Sequence, residues 1–150
     1  LKIIVDADAC PRGALASALS LAARFGVRLV TVAGFDHVIE SPEHVTVGDG
    51  PQEADIKIIN LAQSGDAVVT QDIGLAAAVL GKKCAALNPC GFEYREDTIA
   101  AALEEREIKA KHRRSGGRTK GPPKRTKEDD GRFAARLEQI LRRTIKDHLE

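Results

Sequence analysis

Tryptophan and methionine are absent from this 150-residue chain, and Phe, Tyr and Trp together make up 3% of it. Its core must therefore be aliphatic, drawn from the Ala, Val, Ile and Leu behind its 43% hydrophobic content. Stacking of bases on arrays of aromatic rings, as on many RNA-binding sheets, has few side chains to use. Cysteine is scarce and odd in number: Cys10, Cys84 and Cys90 form no Cys-x-x-Cys pair. That excludes a disulfide framework and points to reduced thiols. Cys10 has no His or second Cys beside it in sequence and reads as a small buried residue. His37, His44, His112 and His148 show no zinc-ligand spacing and are expected at the surface or in loops. No apolar run approaches the ~20 residues of a membrane span, and the N-terminus lacks a charged–apolar–small cleavage pattern. A cytoplasmic protein without a membrane partner is expected.

A net charge of +1 hides a division. Residues 1–108 hold nine Lys/Arg against sixteen Asp/Glu, whereas residues 109–150 hold fourteen against six. An acidic body precedes a basic arm, which suits an acidic partner for the arm. From Lys109 to Lys127 the chain reads KAKHRRSGGRTKGPPKRTK, nine Lys/Arg with no acidic residue. Its Gly-Gly, its Pro-Pro and its lack of apolar periodicity predict a flexible linker over 109–127. RNA is the expected partner, with Lys111, Arg113, Arg114, Arg118, Lys120, Lys124 and Arg125 as candidate contacts. The alternative is a solvated linker without a ligand.

The body alternates short apolar runs with helical patterns. Ile3–Val5, Val27–Val32, His44–Val47, Ala67–Thr70 and Cys84–Leu87 read as strands. Helices are expected from Pro11 to Gly26, from Pro51 to Gly65, over Ile73–Gly81 and over Thr98–Ile108. In the second of these, Ile56, Ile59, Leu61 and Ala62 form the expected buried stripe. Strand–helix alternation with continuous apolar strands predicts an α/β fold with a mostly parallel sheet over residues 1–108. Residues 128–150 form a last amphipathic helix, opened by a capping box between Thr126 and Asp129. Its apolar face, Phe133, Leu137, Ile140, Leu141 and Ile145, packs on the body or on a partner chain.

In parallel sheets, ligands bind beyond the carboxyl ends of the strands. Asp6 ends the first strand and Asp72 follows the AVVTQ run; Asp55 falls in the first turns of a helix. Asp8 lies two residues past Asp6, and on an extended chain both point to one side. Two carboxylates about 4 Å apart repel by roughly 4 kcal/mol at an effective dielectric near 20, so one stays protonated or a cation sits between them. Oxygen-only ligands select Mg²⁺ or Mn²⁺. The competing reading makes these aspartates strand-end turns and helix caps.

The segments IIVDADACPRG, VTQDIGLAAAVL, ALNPCG and KGPP resemble the YaiI/YqxD family of bacterial proteins, over nearly the whole chain. That family is grouped with PIN-like domains, whose best-known members are metal-dependent ribonucleases. The resemblance implies a three-layer α/β/α fold, with Asp6, Asp55 and Asp72 at three acidic metal-site positions and Asp8 as a further ligand or water-orienting group. It also implies a fourth acid in the region between the first and third sites; Glu40, Glu43, Asp8 and Asp49 are the candidates. Asn88 binds phosphate or water, or simply makes a turn before Pro89. Two alternatives stand beside a Mg/Mn-dependent ribonuclease. One is a non-catalytic metal- and nucleic-acid-binding protein. The other is a haloacid-dehalogenase-like phosphatase in which Asp6 attacks phosphate, Asp8 is the acid–base and Thr31 binds phosphate.

If the arm contacts about five phosphates of a single strand, log affinity for RNA falls with log salt at a slope of roughly −3.5. Deleting residues 111–127 is expected to abolish low-salt RNA retention; unchanged retention makes the arm a bare linker.

Overall fold

The structure is a computed structural model that describes residues 1–50, 52–118 and 124–149. The chain order is β1 (Lys2–Asp6), a 3-10 turn (Ala7–Ala9), α1 (Arg12–Phe25), β2 (Arg28–Gly34), β3 (Glu43–Val47), α2 (Glu53–Leu61), β4 (Ala67–Val69), α3 (Ile73–Gly81), β5 (Ala85–Leu87), β6 (Glu93–Tyr94), α4 (Glu96–Arg114) and α5 (Lys127–Leu149). The strands form one sheet in the order β3-β2-β1-β4-β5-β6. Every pairing is parallel except that of β6 on β5. After α2 the chain crosses from the β3 edge to lay β4 on the far side of β1. A topological switch point therefore opens between β1 and β4.

Alternation along each strand sends side chains to opposite faces. Ile3 and Val5 of β1, with Val69 and Leu87, meet α1 and the Phe133, Leu137, Ile140 and Leu141 face of α5. Ile4, Val32, Val68 and Ala86 meet Ile58 of α2 and Leu75 and Val79 of α3. The result is three layers with the sheet in the middle. Pro11 immediately precedes α1, and Gly26 closes that helix at φ 65°, a conformation glycine adopts without a Cβ penalty. At the start of α5, the Asp129 carboxylate accepts the Thr126 N–H at 2.9 Å.

Some boundaries and faces differ from the sequence reading. Ala62 is buried and Ile59 and Leu61 pack on the core as expected, but Ile58 is the fully buried residue of α2 and Ile56 is 56% exposed. That helix ends at Leu61 because Ala62 turns extended and the Gln63 N–H is taken by the Asp66 carboxylate at 2.9 Å. Pro51, expected to open it, lies outside the described residues. Helix α4 runs to Arg114, six residues into the expected linker. Its first turn carries Glu96 and Asp97 and its last turn Lys111 to Arg114, a polarity that complements the helix dipole. No Gly or Pro interrupts it before Gly116. Strand β6 is two residues long, too short for any periodicity to announce. Among the described residues no helix is long and apolar enough to cross a membrane.

Leu137 is fully buried between α5, α1 and the sheet, whereas Leu149 on the same helix is 83% exposed. Leu137→Ala is expected to cost about 2–5 kcal/mol and Leu149→Ala almost nothing, read as the difference between two denaturant titrations.

Candidate functional site

β1 delivers Asp6 to the carboxyl edge of the sheet, opposite Val32 of β2. The chain does not stay extended there. Ala7–Ala9 form a single 3-10 turn, and Asp8 swings toward the end of β2. The Gly34 N–H donates to both Asp8 oxygens, at 3.0 and 3.2 Å, and His37 Nδ1 lies 2.6 Å from Oδ1. On the other side of β1, Thr70 follows β4. Its hydroxyl donates to Asp6 Oδ2 at 2.9 Å and accepts the Asp72 N–H at 3.0 Å. One hydroxyl thus bridges the two strand-end aspartates.

Asp72 is the N-cap of α3: its Oδ1 accepts the N–H groups of Gly74 and Leu75 at 2.8 and 3.2 Å. Arg106, reaching over from α4, stands 3.4 Å from the same oxygen. Asp55, in the first turn of α2, lies within hydrogen-bonding reach of Asp72. The Asp55 pKa is raised, by burial and then by the charge and hydrogen bond of Asp72. Asp6 is pushed up to about 6, chiefly by burial and further by Asp55, Asp8 and Asp72, against the opposing hydrogen bond from Thr70.

Asp6, Asp8 and Asp55 line an open cleft of about 340 Å³, joined by Asp36, His37 and Asp49. Asp72 stands behind them, tied in through Thr70 and Asp55. Gln52, also on the cleft, adopts φ 68° without being glycine, a local strain of the kind found at functional sites. The donors are all oxygens save His37, which fits a hard divalent cation by chemistry. Yet among the described residues no group of three or more His, Cys, Asp or Glu side chains is gathered closely enough to hold a metal ion as it stands. Asp8 and Asp72 are each turned toward protein donors, so the rim is assembled in pairs.

Other candidates separate. Asp49 lines the cleft. Glu43 does not: it begins β3 and pairs with Arg28 at 2.7 Å, at the opposite end of the sheet. Glu40 is exposed in the loop before β3. Thr31 is fully buried in mid-strand with its hydroxyl 2.7 Å from His44 Nδ1, so it cannot receive a phosphate. Asn88 makes a turn, its Oδ1 accepting the N–H groups of Cys90 and Phe92. Burial pushes the Cys10 thiol up to about 11, leaving it unreactive.

The basic residues do not face the cleft as a set. Lys111, Arg113 and Arg114 occupy the last turns of α4, about 8–12 Å along the helix beyond Arg106. Arg114 pairs with Glu107 at 3.3 Å. Arg118 and Lys124 are exposed, and Lys120 lies outside the described residues. Arg125 is largely committed: Nη2 meets Asp130 at 2.6 Å and Nη1 donates to the Pro89 carbonyl at 2.7 Å. Arg106 and His37 are the site residues that sequence reasoning missed. No spacing ties either to an aspartate, because one arrives from a helix 34 residues away and the other from a loop 29 residues away.

A model of the uncharacterised YaiI/YqxD family matches residues 4–143. The chain is 56% identical over 142 residues to a UPF0178 protein of Heliobacterium modesticaldum, covering 95% of this chain and 97% of that protein. It is 42% identical over 143 residues to one of Clostridium kluyveri, covering 94% and 93%. It is 37% identical over 150 residues to one of Alkaliphilus metalliredigens, covering 98% and 96%. No solved structure matches it.

Because Asp6 holds its proton more tightly in the folded chain, its contribution to stability is fully present below about pH 3.8 and is lost as pH rises through about 6. Asp6→Asn keeps an oxygen for the Thr70 hydroxyl and removes the charge. In metal-free buffer it is expected to be more stable than the parent at pH 7, by on the order of 2 kcal/mol. The gap closes below pH 4; melts across pH 3–8 read it directly.

Proposed function

This chain belongs to the YaiI/YqxD family, and on that premise we propose that its aspartate rim holds Mg²⁺ or Mn²⁺ and hydrolyses phosphodiester bonds of RNA. The observation that carries the reading is positional. Aspartates from the end of β1, the first turn of α2 and the N-cap of α3 meet at the switch point of a parallel sheet, the place where such sheets bind ligands. Burial, and after it the neighbouring carboxylates, raises the pKa of both Asp6 and Asp55. A divalent ion supplies charge neutralisation on the phosphate and an activated water.

The residues then divide the work. Asp6, Asp55 and Asp72 would be the ligands of that ion. Asp8, fixed by the Gly34 N–H and His37, orients water on the β2 side. Arg106, half-exposed against Asp72, meets a phosphate oxygen. A second reading, a binding-only site, draws support from the partners Asp8 and Asp72 already have within the protein. The phosphatase scheme loses its phosphate-binding residue with Thr31.

MnCl₂ at about 100 times its dissociation constant is expected to stabilise the protein by about 2.7 kcal/mol, and labelled RNA is cut in the same buffer. Asp55→Asn and Asp72→Asn are expected to lose both effects. Asparagine caps a helix as well as aspartate does, so the metal-free Asp72→Asn protein keeps its α3 cap. A melt unmoved by manganese removes the metal site. A shifted melt with intact RNA leaves the binding-only site standing.

A further inference from the structure

The chain has five aromatic residues, four Phe and one Tyr. Phe133 and Tyr94 are buried. Phe25 carries two guanidinium groups, Arg24 and Arg142, each 5.1 Å from its ring centroid. The remaining two, Phe35 and Phe92, are 64% and 56% exposed. Both lie at the carboxyl edge of the sheet, where the aspartates are. Phe35 directly follows the last residue of β2, and Phe92 sits in the turn between β5 and β6.

The strand order sets the two rings on opposite sides of the rim. β2 lies on one side of the β1–β4 switch point and β5 on the other, three strand spacings or about 14 Å apart. Phe35 is next to Asp36 and His37, which line the aspartate cleft. Phe92 lines a second cleft of about 470 Å³ together with Gln71, Ile73, Pro89 and Tyr94. Gln71 and Ile73 flank Asp72 in sequence, so the second cleft lies beside the Asp72 end of the rim. Phe92 packs T-shaped against Tyr94, with ring centroids 5.6 Å apart, and remains 56% exposed. A short run of single-stranded polynucleotide fits this layout: its phosphates take the rim and its bases take the rings. A duplex does not, because its base faces are already stacked.

We propose that single-stranded RNA crosses the carboxyl edge of the sheet with one base on Phe35, the intervening phosphate at the aspartates and another base on Phe92. The proposal rests on the phosphodiester reading above and commits that site to unpaired strands. Arg106 and Arg125 lie on the Phe92 side of the path, each already facing an aspartate, Asp72 and Asp130 respectively. A peptide or a second copy of the chain covering the same rings is a different occupant, which the experiment distinguishes.

Phe35→Trp and Phe92→Trp each install one tryptophan in a chain that has none. Each is titrated with an unstructured 12-mer RNA in CaCl₂, with RNA integrity checked on a denaturing gel, and with the same RNA annealed to its complement. Saturable quenching of both tryptophans by the single strand, and weak quenching by the duplex, is the expected result. Phe35→Ala and Phe92→Ala are expected to weaken single-strand binding about 5- to 150-fold each, while the manganese shift of the melt stays as in the parent and reports an intact fold. The stacking path is overturned by unquenched tryptophans, by alanine variants that bind as the parent does, or by equal duplex binding. It is overturned equally by a tryptophan signal that follows protein concentration alone, which indicates a second copy on the rings. Each of these results leaves the metal site untouched if manganese still shifts the melt; loss of that shift in the parent removes the underlying reading instead.

Discussion

The pairing of β1 with β4 is closed at both ends by side chains that are 64 residues apart in sequence. At the amino end, Asp66 accepts the Lys2 N–H at 3.0 Å and the Lys2 ammonium at 2.6 Å. The ion pair is almost entirely out of water, with side chains 9% and 3% exposed. At the carboxyl end the Thr70 hydroxyl reaches Asp6. Between them lie Ile3, Ile4 and Val5 against Ala67, Val68 and Val69. That apolar stretch is nearly degenerate, since both faces of the sheet are covered and a one-residue slip exchanges one aliphatic side chain for another. The polar ends are not degenerate. A slip strands Lys2 and Asp66 as unpaired buried charges, a cost of several kcal/mol. Register at the centre of the sheet is thus written in its ends.

That register fixes the rim. With Asp6 beside Thr70, the Asp72 N–H falls on the same hydroxyl, and Asp72 begins α3. Asp55 arrives from α2 on the other side of the crossover, and Asp8 from the turn after β1. The fold therefore concentrates negative charge at a point where the chain topology leaves an opening. It moderates that charge with local donors: a hydroxyl at Asp6, a backbone N–H and His37 at Asp8, the α3 amino end and Arg106 at Asp72. At Asp55, burial and then the neighbouring Asp72 raise the pKa. On the function proposed above, a divalent cation would do the same work at once, in place of the donors that let the fold tolerate the rim.

What was legible in the sequence was local. The IIVD run, the Gly26 stop and the Ile73–Gly81 helix needed only neighbouring residues, and the structure places them within a residue or so of expectation. The apolar stripe of α5 was equally plain, because 3.6-residue spacing is strong over 23 residues. What escaped depended on distant partners. Ile58 rather than Ile56 is buried in α2 because the helix is rotated to meet β2 and α3. Helix α4 outran its expected end because its dipole-matched charges, not apolar spacing, sustain it. At the site, the sequence offered Asp72 as either a helix cap or a rim carboxylate, and it is both. Asp8 needed a turn where extended chain was expected. His37 and Arg106 were invisible because nothing in their own neighbourhoods points to an aspartate.

The cover of β1 has a consequence in time. Ile3 and Val5 leave the ribosome well over a hundred residues ahead of Phe133, Leu137, Ile140 and Leu141, which pack in the same cluster. At about 5–20 residues per second, roughly 7–26 s of synthesis separate the strand from its lid. Through that interval the Ile4 face can close early, because α2 and α3 are complete by Gly81. The Ile3–Val5 face has α1 alone. A nascent chain of this protein is thus one-sided, with half of its core built and the other half open to water until α5 arrives.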